Sequence, residues 1–484
     1  MLVLALLAGA FLAAEAPIES PPAPAATPAS VVSPPAEQEE SAEGLGLEEL
    51  LRLALAHDGR VLAAHAELDS YRARYAEARR TWFPVIRFEA LAGGPVSERR
   101  IDRAACGAIP ADECLKVSHA SERGNFDFGE LGVAFGGKIE AALPLFTFGK
   151  LDAARRAAHS GVRAGEAGLN RARQEIALEV RRAYYGWLLA DAACEILADG
   201  RAKLKEAEAK LKKMLDEGNE DVSDRDQFKL RYYAAQVEGM WLQARQGREL
   251  AVAALRFLTG QDDLGEKTPL RSEPLEPPPL PAEPLQVFAQ RALAQRADLA
   301  QLRAARDAMS ALEDVQRAAF FPDFFVAGYL KGSYSPVQDF VRNPLLQSSL
   351  TAYDGGVALG LQITLDIPQK LARLDRARAD LARVTAQLAQ AEAAVRLQLE
   401  QKLLDLRTGA EQLEQLSRGE RAAKAWMRAN MMDYGVGLTN TRDLLDSLAA
   451  FAKARMDREK AIHDQRLAYD ALRSAAGDDL CRAP

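Results

Sequence analysis

The chain of 484 residues is 48% hydrophobic and 27% charged, with a formal net charge of −7, a composition ordinary for a folded protein. The acidic balance, with no basic cluster interleaved with aromatics, argues against a nucleic-acid binder. Beyond the N-terminus no run of 18 apolar residues occurs, so the sequence holds no helix fit to cross a bilayer.

Met1 to Ala14 form an apolar stretch ending in small residues, with Ala14-Glu15-Ala16 as a cleavage site. This reads as a secretory signal peptide over residues 1–16, although the basic start of such signals is missing. No cysteine follows the apolar run, so a lipid anchor is not expected. Residues 17–44 are rich in Pro, Ala and Glu and read as a disordered linker.

A first repeat is expected over 45–260. A helix over about 46–81 ends at Trp82-Phe83-Pro84, because proline drives the residue before it out of the α region. Two strands follow within about 84–145, joined by a long loop over 94–131. In the first strand Ile86, Phe88 and Ala90 oppose Arg87 and Glu89. In the second, Val133, Phe135, Ile139 and Leu143 alternate with Ala134, Lys138, Glu140 and Ala142 before Leu143-Pro144-Leu145 closes the pair. Period two sets each group on one face of a sheet. Cys106 and Cys114 share the loop and are a candidate disulfide for an exported chain. A helix over 147–217 could reach roughly 100 Å, and its Gly161, Gly165 and Gly168 suggest close helix approach at some cost in propensity. A tip over 218–224, from Gly218 to Asp224, leads to a return helix over 224–259.

A linker over 261–284, with Pro277-Pro278-Pro279, separates the halves, and the order then repeats over 285–477. A helix over 286–320 ends at Phe320-Phe321-Pro322. A β-hairpin over about 322–367 sets Phe324, Val326, Gly328 and Leu330 against Asp323 and Lys331, with Phe325 and Tyr329 interrupting the polar face. Its second strand alternates from Val357 to Ile367 and closes at Pro368. A helix over 369–434, a tip over 435–443 and a return helix over 441–476 follow, then a tail over 478–484.

Segments of about ten residues with this alternation belong to transmembrane β-barrels, and soluble sandwich strands show it too. In lipid a sheet must have no open edge, and four strands cannot close. Three protomers would pool twelve strands, a water-filled size, above a cylinder of helices. The expected fold is therefore mainly α with a membrane β-barrel part: duplicated helical hairpins forming an α-barrel, and four strands per protomer in a trimeric twelve-stranded barrel. The other cysteines, Cys194 and Cys481, and the five histidines show no ligand or catalytic spacing. No nucleophile–base set, Walker loop or dinucleotide fingerprint is present, so neither an enzyme nor a cofactor site is expected.

The layout over roughly 45–477 resembles the TolC family of outer-membrane efflux proteins. The resemblance rests on Leu47, Leu50, Ala54 and Leu55, on Pro84, on Pro144-Leu145-Phe146 before Gly149-Lys150, on Tyr184-Tyr185, and on Leu258-Thr259-Gly260. It implies a homotrimeric channel in the outer membrane, extending into the periplasm, that serves a tripartite efflux or type I secretion system. The partners implied are a periplasmic adaptor and an inner-membrane pump of RND, ABC or MFS type. The segment from Tyr434 to Asp446 is similar to the family's periplasmic gate. Asp443 and Asp446 match its two acidic positions and Tyr434 its tyrosine, while Asp224 matches that tyrosine's aspartate partner. Thr439 falls where well-studied members carry an arginine. Apart from the resemblance, Asp443 and Asp446 read as acids favoured at a helix start. The alternative for the whole chain is a soluble coiled-coil scaffold with β insertions.

Overall fold

Each repeat opens with an 11-residue helix and a 22-residue helix, separated by one extended residue: α1 (Leu47–His57) and α2 (Gly59–Arg80), then α5 (Leu285–Gln295) and α6 (Ala297–Ala318). The computed structural model describes residues 44–101, 106–110, 117–119, 131–216, 224–340, 350–435, 439 and 441–481. The N-terminal signal and most of the first linker lie outside these.

The single helices expected over 46–81 and 286–320 are thus each two. Asp58 (φ −62°, ψ 127°) and Arg296 (φ −62°, ψ 125°) adopt the same break. At the first, the Asp58 carboxylate accepts the Arg60 N–H at 2.8 Å, an N-cap that satisfies an orphan donor of the new helix. At the second, the Arg296 guanidinium donates to Asp298 at 2.7 Å and to the Ala475 carbonyl at 3.4 Å. Helical periodicity runs through both breaks and hides them.

The remaining elements are β1 (Val85–Val96), β2 (Arg99–Ile101), β3 (Val117–His119), β4 (Gly132–Phe146), α3 (Lys150–Asp216) and α4 (Asp224–Thr259) in the first half. The second half adds β5 (Asp323–Tyr334), β6 (Ala352–Gln362), α7 (Ile367–Gly435) and α8 (Thr441–Ala476). The 67 and 69 residues of α3 and α7 give helices of about 100 Å. The return helices α4 and α8 have 36 residues each.

The four long strands form one antiparallel sheet in the order β1-β4-β5-β6, and β2 pairs with β3 separately. Three sequence expectations change here. The fourth strand stops at Gln362 because its partner β5 starts at Asp323, opposite it; Ile363 to Asp366 alternate but have no ladder to join. Pro144 lies inside β4, beside an irregularity in the pairing with β5, and does not end the strand. The expected loop over 94–131 begins with the last residues of β1 and carries β2 and β3.

The core lies among the helices. Leu50, Leu51, Ala54, Ile176, Val180, Leu255 and Leu264 are fully buried around α1 and α3, and Leu299, Leu399, Leu406 and Leu472 repeat the pattern in the second half. A third cluster of Leu204, Leu211, Leu230 and Leu445 ties the two hairpins near their tips. The inter-repeat linker is also bound in: Leu264 and Leu270 are buried, and the Arg271 N–H donates to the Leu45 carbonyl at 3.0 Å. Gly161, Gly165 and Gly168 of α3 sit at helix contacts. A Cβ on Gly161 or Gly165 would meet Tyr71 of α2, and one on Gly168 would meet Gln301 of α6.

Candidate functional site

The register of the sheet shows what each face offers. Residues opposite one another in an antiparallel ladder share a face, so Phe88, Ile139 and Leu330 form one row, and Leu143, Val326 and Leu359 form part of another. Phe88, Ile139, Leu330 and Leu359 are exposed, Leu359 at 80%, as is Val357 on the same face at 81%, while Leu143 and Val326 are half-buried. On the reverse face Glu89, Lys138, Lys331 and Asp354 make a charged row. Lys138 pairs with Glu140 at 2.6 Å and Lys331 with Asp354 at 3.2 Å. Phe325 and Tyr329, the two residues that interrupted the polar pattern, lie opposite Gly360 and Gly356. Their rings cover the space a Cβ would fill there. An exposed apolar face of this extent has no place in water.

Where strands meet helices, Phe148 turns the chain at φ 49° and stacks on Phe321 at 4.9 Å and against Phe146 at 4.8 Å. Lys150 at the start of α3 pairs with Asp323 at the start of β5 at 2.6 Å, which joins the two repeats at this level. Trp82, Phe83 and Phe321 are exposed at the same junction.

The helices follow the order of the sheet. Near the sheet α2 packs on α3, α3 on α6 and α6 on α7; towards the tips α4 packs on α3, α3 on α8 and α8 on α7. One flank of the protomer is therefore β1, α2 and α4, and the other is β6 and α7. Of the short helices that open each repeat, α1 packs on α3 and α4, and α5 on α7.

At the tips the structure places the four expected gate residues as follows. Asp443 is exposed in the first turn of α8, and its backbone carbonyl accepts from Asn430 at 2.8 Å. The Asp446 carboxylate accepts the Tyr233 O–H at 3.2 Å and pairs with Arg442 at 3.7 Å. Tyr434 is buried, and its hydroxyl faces Thr441 at 3.5 Å. Asp224 is exposed in the first turn of α4, and among the described residues no hydrogen bond joins it to Tyr434. Burial, and then the neighbouring Asp446, push the Tyr233 phenol above its usual value, so its O–H persists as a donor. Tyr233 was missed in the sequence: it sits beside exposed Tyr232 in a doublet, and only tertiary contact distinguishes the two.

Arg181 was missed as well. It is fully buried, pairs with Asp470 of α8 at 3.4 Å and donates to the Leu480 carbonyl at 3.1 Å. One side chain thereby holds the first repeat, the second repeat and the tail together. Cys106 is disulfide-bonded and Cys194 and Cys481 are free thiols; Cys114 lies outside the described residues.

Residues 50–261 and 288–478 match the family described as OEP, outer membrane efflux protein. The chain belongs to this family. No curated protein matches it. Among solved structures it is similar to the CmeC outer membrane channel of Campylobacter jejuni, at 16% identity and TM-score 0.71 over 89% of this chain and 85% of that one. The open state of the MtrE outer membrane channel of Neisseria gonorrhoeae matches at 19% identity and TM-score 0.70 over 90% of this chain and 89% of that one. The outer membrane protein VceC of Vibrio cholerae matches at 18% and 0.70, over 90% of this chain and 96% of that one. At these identities the likeness is one of fold.

The protein is an outer-membrane efflux channel component, and its helices extend into the periplasm. Among the described residues no helix is long and apolar enough to cross a membrane. The sheet supplies the membrane part. Its 12-residue strands at ~3.3 Å per residue and a tilt of about 40° span about 30 Å, the thickness of a bilayer core. In this efflux protein the exposed rows of Phe88 and Val357 face lipid, the charged row faces the lumen, and the aromatics around Trp82 and Phe321 sit at the interface.

Proposed function

We propose that three copies close into a twelve-stranded barrel over an α-helical tunnel, forming the outer-membrane conduit of a tripartite efflux or type I secretion system. The sheet carries this reading: its apolar face calls for lipid, while β1 and β6 leave two unpaired edges that a bilayer does not tolerate. Copies related by rotation join one flank to the other and end the edge problem. A periplasmic adaptor and an inner-membrane pump of RND, ABC or MFS type complete the system. The signal over 1–16 is removed on export, and Cys106 is bridged to Cys114 in the oxidising exterior. Alkylatable thiols at both positions in freshly isolated protein, read by mass spectrometry of a non-reduced digest, would refute that bridge.

The periplasmic tips form the entrance, with Asp443 and Asp446 as its acidic lining and Tyr434 and Asp224 as the residues that adjust its width. A trimer brings six such carboxylates around one opening. Rings of this kind attract cations and repel anions. In planar bilayers the Asp443→Ala/Asp446→Ala variant should conduct with several-fold weaker cation selectivity and with relief of block by multivalent cations. Trimer assembly should be unchanged, because exposed Asp443 and half-buried Asp446 lie outside the core. Unchanged selectivity and block would reduce both residues to helix-start acids and move the constriction elsewhere.

A further inference from the structure

The last turn of α2 carries two charges that the rest of the protomer does not neutralise. Arg79 and Arg80 are exposed, and among the described residues no carboxylate pairs with either. The duplication supplies a comparison. Arg317 stands three residues before Phe320, as Arg79 stands before Trp82, and it pairs with Glu313 at 2.7 Å and Asp314 at 3.6 Å. The first repeat has Tyr75 and Ala76 where those acids stand, and the Arg79 guanidinium lies 6.0 Å from the centre of the Tyr75 ring instead. A helix end favours basic residues, but its carbonyls here are already taken. The Ala78 carbonyl accepts the Thr81 hydroxyl at 2.8 Å, and the Arg80 carbonyl accepts the Phe83 N–H at 2.9 Å.

The two arginines sit at the edge of the membrane. Arg79 and Trp82 are one helical turn apart, as are Arg80 and Phe83, so each pair shares a side and is separated by ~4.5 Å along the axis. With both aromatics at the interface, the guanidiniums enter a headgroup layer about 5–7 Å thick. Residues 71–83 hold four arginines and one glutamate. On the other flank, residues 366–383 hold five basic and three acidic side chains. Each of those acids already pairs within its segment: Asp366 with Arg373 at 3.0 Å, Asp375 with Arg378 at 3.3 Å and Asp380 with Arg383 at 3.6 Å. A neighbouring copy in the ring therefore brings more positive charge to this level and no spare carboxylate. The excess runs against the net charge of −7 of the whole chain, and it lies where phospholipid phosphates lie.

We propose that this level is a basic collar beneath the barrel, in which Arg79 and Arg80 bind the phosphates of anionic phospholipids in the periplasmic leaflet. A guanidinium presents paired N–H donors to phosphate oxygens, and Trp82 and Phe83 fix its height against the headgroups. Each arginine at an anionic surface strengthens binding about fivefold. The collar rests on the placement of the sheet in the membrane, and it names the lipid that the protein selects there.

The test titrates the full-length protein in detergent with phosphatidylglycerol, phosphatidylcholine or inorganic phosphate and counts bound lipid by native mass spectrometry. Phosphatidylglycerol should be retained over phosphatidylcholine. Arg79→Gln/Arg80→Gln should weaken phosphatidylglycerol binding about tenfold or more and leave phosphatidylcholine unchanged. Arg421→Gln/Arg428→Gln, which removes the same charge from exposed residues at the far end of α7, should bind as the unaltered protein does. Equal retention of the two lipids, or an equal loss in both variants, overturns the collar. Displacement of phosphatidylglycerol by inorganic phosphate makes the site one for free anions and overturns it too. Lipids brominated on their chains test the membrane placement separately, through the part of the tryptophan quenching that is lost in Trp82→Phe. Quenching without a preference for phosphatidylglycerol overturns the collar alone, whereas no quenching at Trp82 overturns the placement and the collar together.

Discussion

Arg181 shows how one residue ties the duplication together. A guanidinium with no exposed surface beside a 2%-exposed Asp470 carboxylate survives burial because each charge has a partner and the Leu480 carbonyl takes further N–H groups. Removing one partner strands the other. Arg181→Met should cost about 3 kcal/mol, the low end for a broken buried pair, because Arg473 lies 4.0 Å from Asp470 and relieves part of its charge. Arg181→Met/Asp470→Leu should recover most of that loss, since apolar replacement of a whole buried pair is often neutral. Thermal unfolding of the detergent-purified variants measures both. A double variant no more stable than the single would mean that Arg181 acts through packing. At this scale the sequence was least informative. Arg181 stands in a doublet with Arg182, as Arg155 does with Arg156 in the same helix, and its burial depends on elements 289 and 299 positions away. Asp446 was legible as a member of the tip, whereas its hydrogen bond to Tyr233 crosses 213 positions and leaves no local pattern.

Among the elements, local rules read well wherever tertiary structure agreed with them. The return helices α4 and α8 have the expected bounds because glycine, aspartate and threonine mark their ends. The breaks at Asp58 and Arg296 were invisible because the apolar stripe of each helix pair stays in phase across them. The strand ends at Gln362 and Phe146 were misplaced because a strand ends where its partner does, and alternation in one segment does not report its partner's length. The glycines of α3 were legible as sites of close approach, and the distances now rank them. A Cβ on Gly165 would lie 2.8 Å from the Tyr71 ring and 3.4 Å from the Leu68 Cα, whereas one on Gly161 would meet only the Tyr71 ring, at 3.3 Å. Alanine gains about 1 kcal/mol of helix propensity at either position, and overpacking costs ~1–3 kcal/mol. Gly165→Ala should therefore destabilise by about 0–2 kcal/mol net, because the Tyr71 ring and the Leu68 side chain must both shift, while Gly161→Ala should be neutral or slightly stabilising. Denaturation midpoints of the two variants decide it, and equal effects would contradict a contact-limited α2–α3 approach.

For the whole molecule, the duplicated order of helices and strands was legible before any coordinates, and so was the alternation that gives the sheet one apolar face. What the sequence could not show was that the helices repeat the sheet's order, so that β1 and α4 mark one flank and β6 and α7 the other. That agreement makes a ring of copies the arrangement that satisfies both layers at once, since the strand edges and the helix flanks lie on the same sides of the protomer. The polar face of the sheet carries paired charges such as Lys138–Glu140 and Lys331–Asp354, and the entrance proposed at the tips has Asp443 exposed. The most direct test of the account is the mass of the detergent-extracted protein with bound detergent subtracted. Three chains per particle, forming conducting pores in planar bilayers, is the predicted result. A monomer that stays soluble without detergent and keeps its helical and strand content would contradict it.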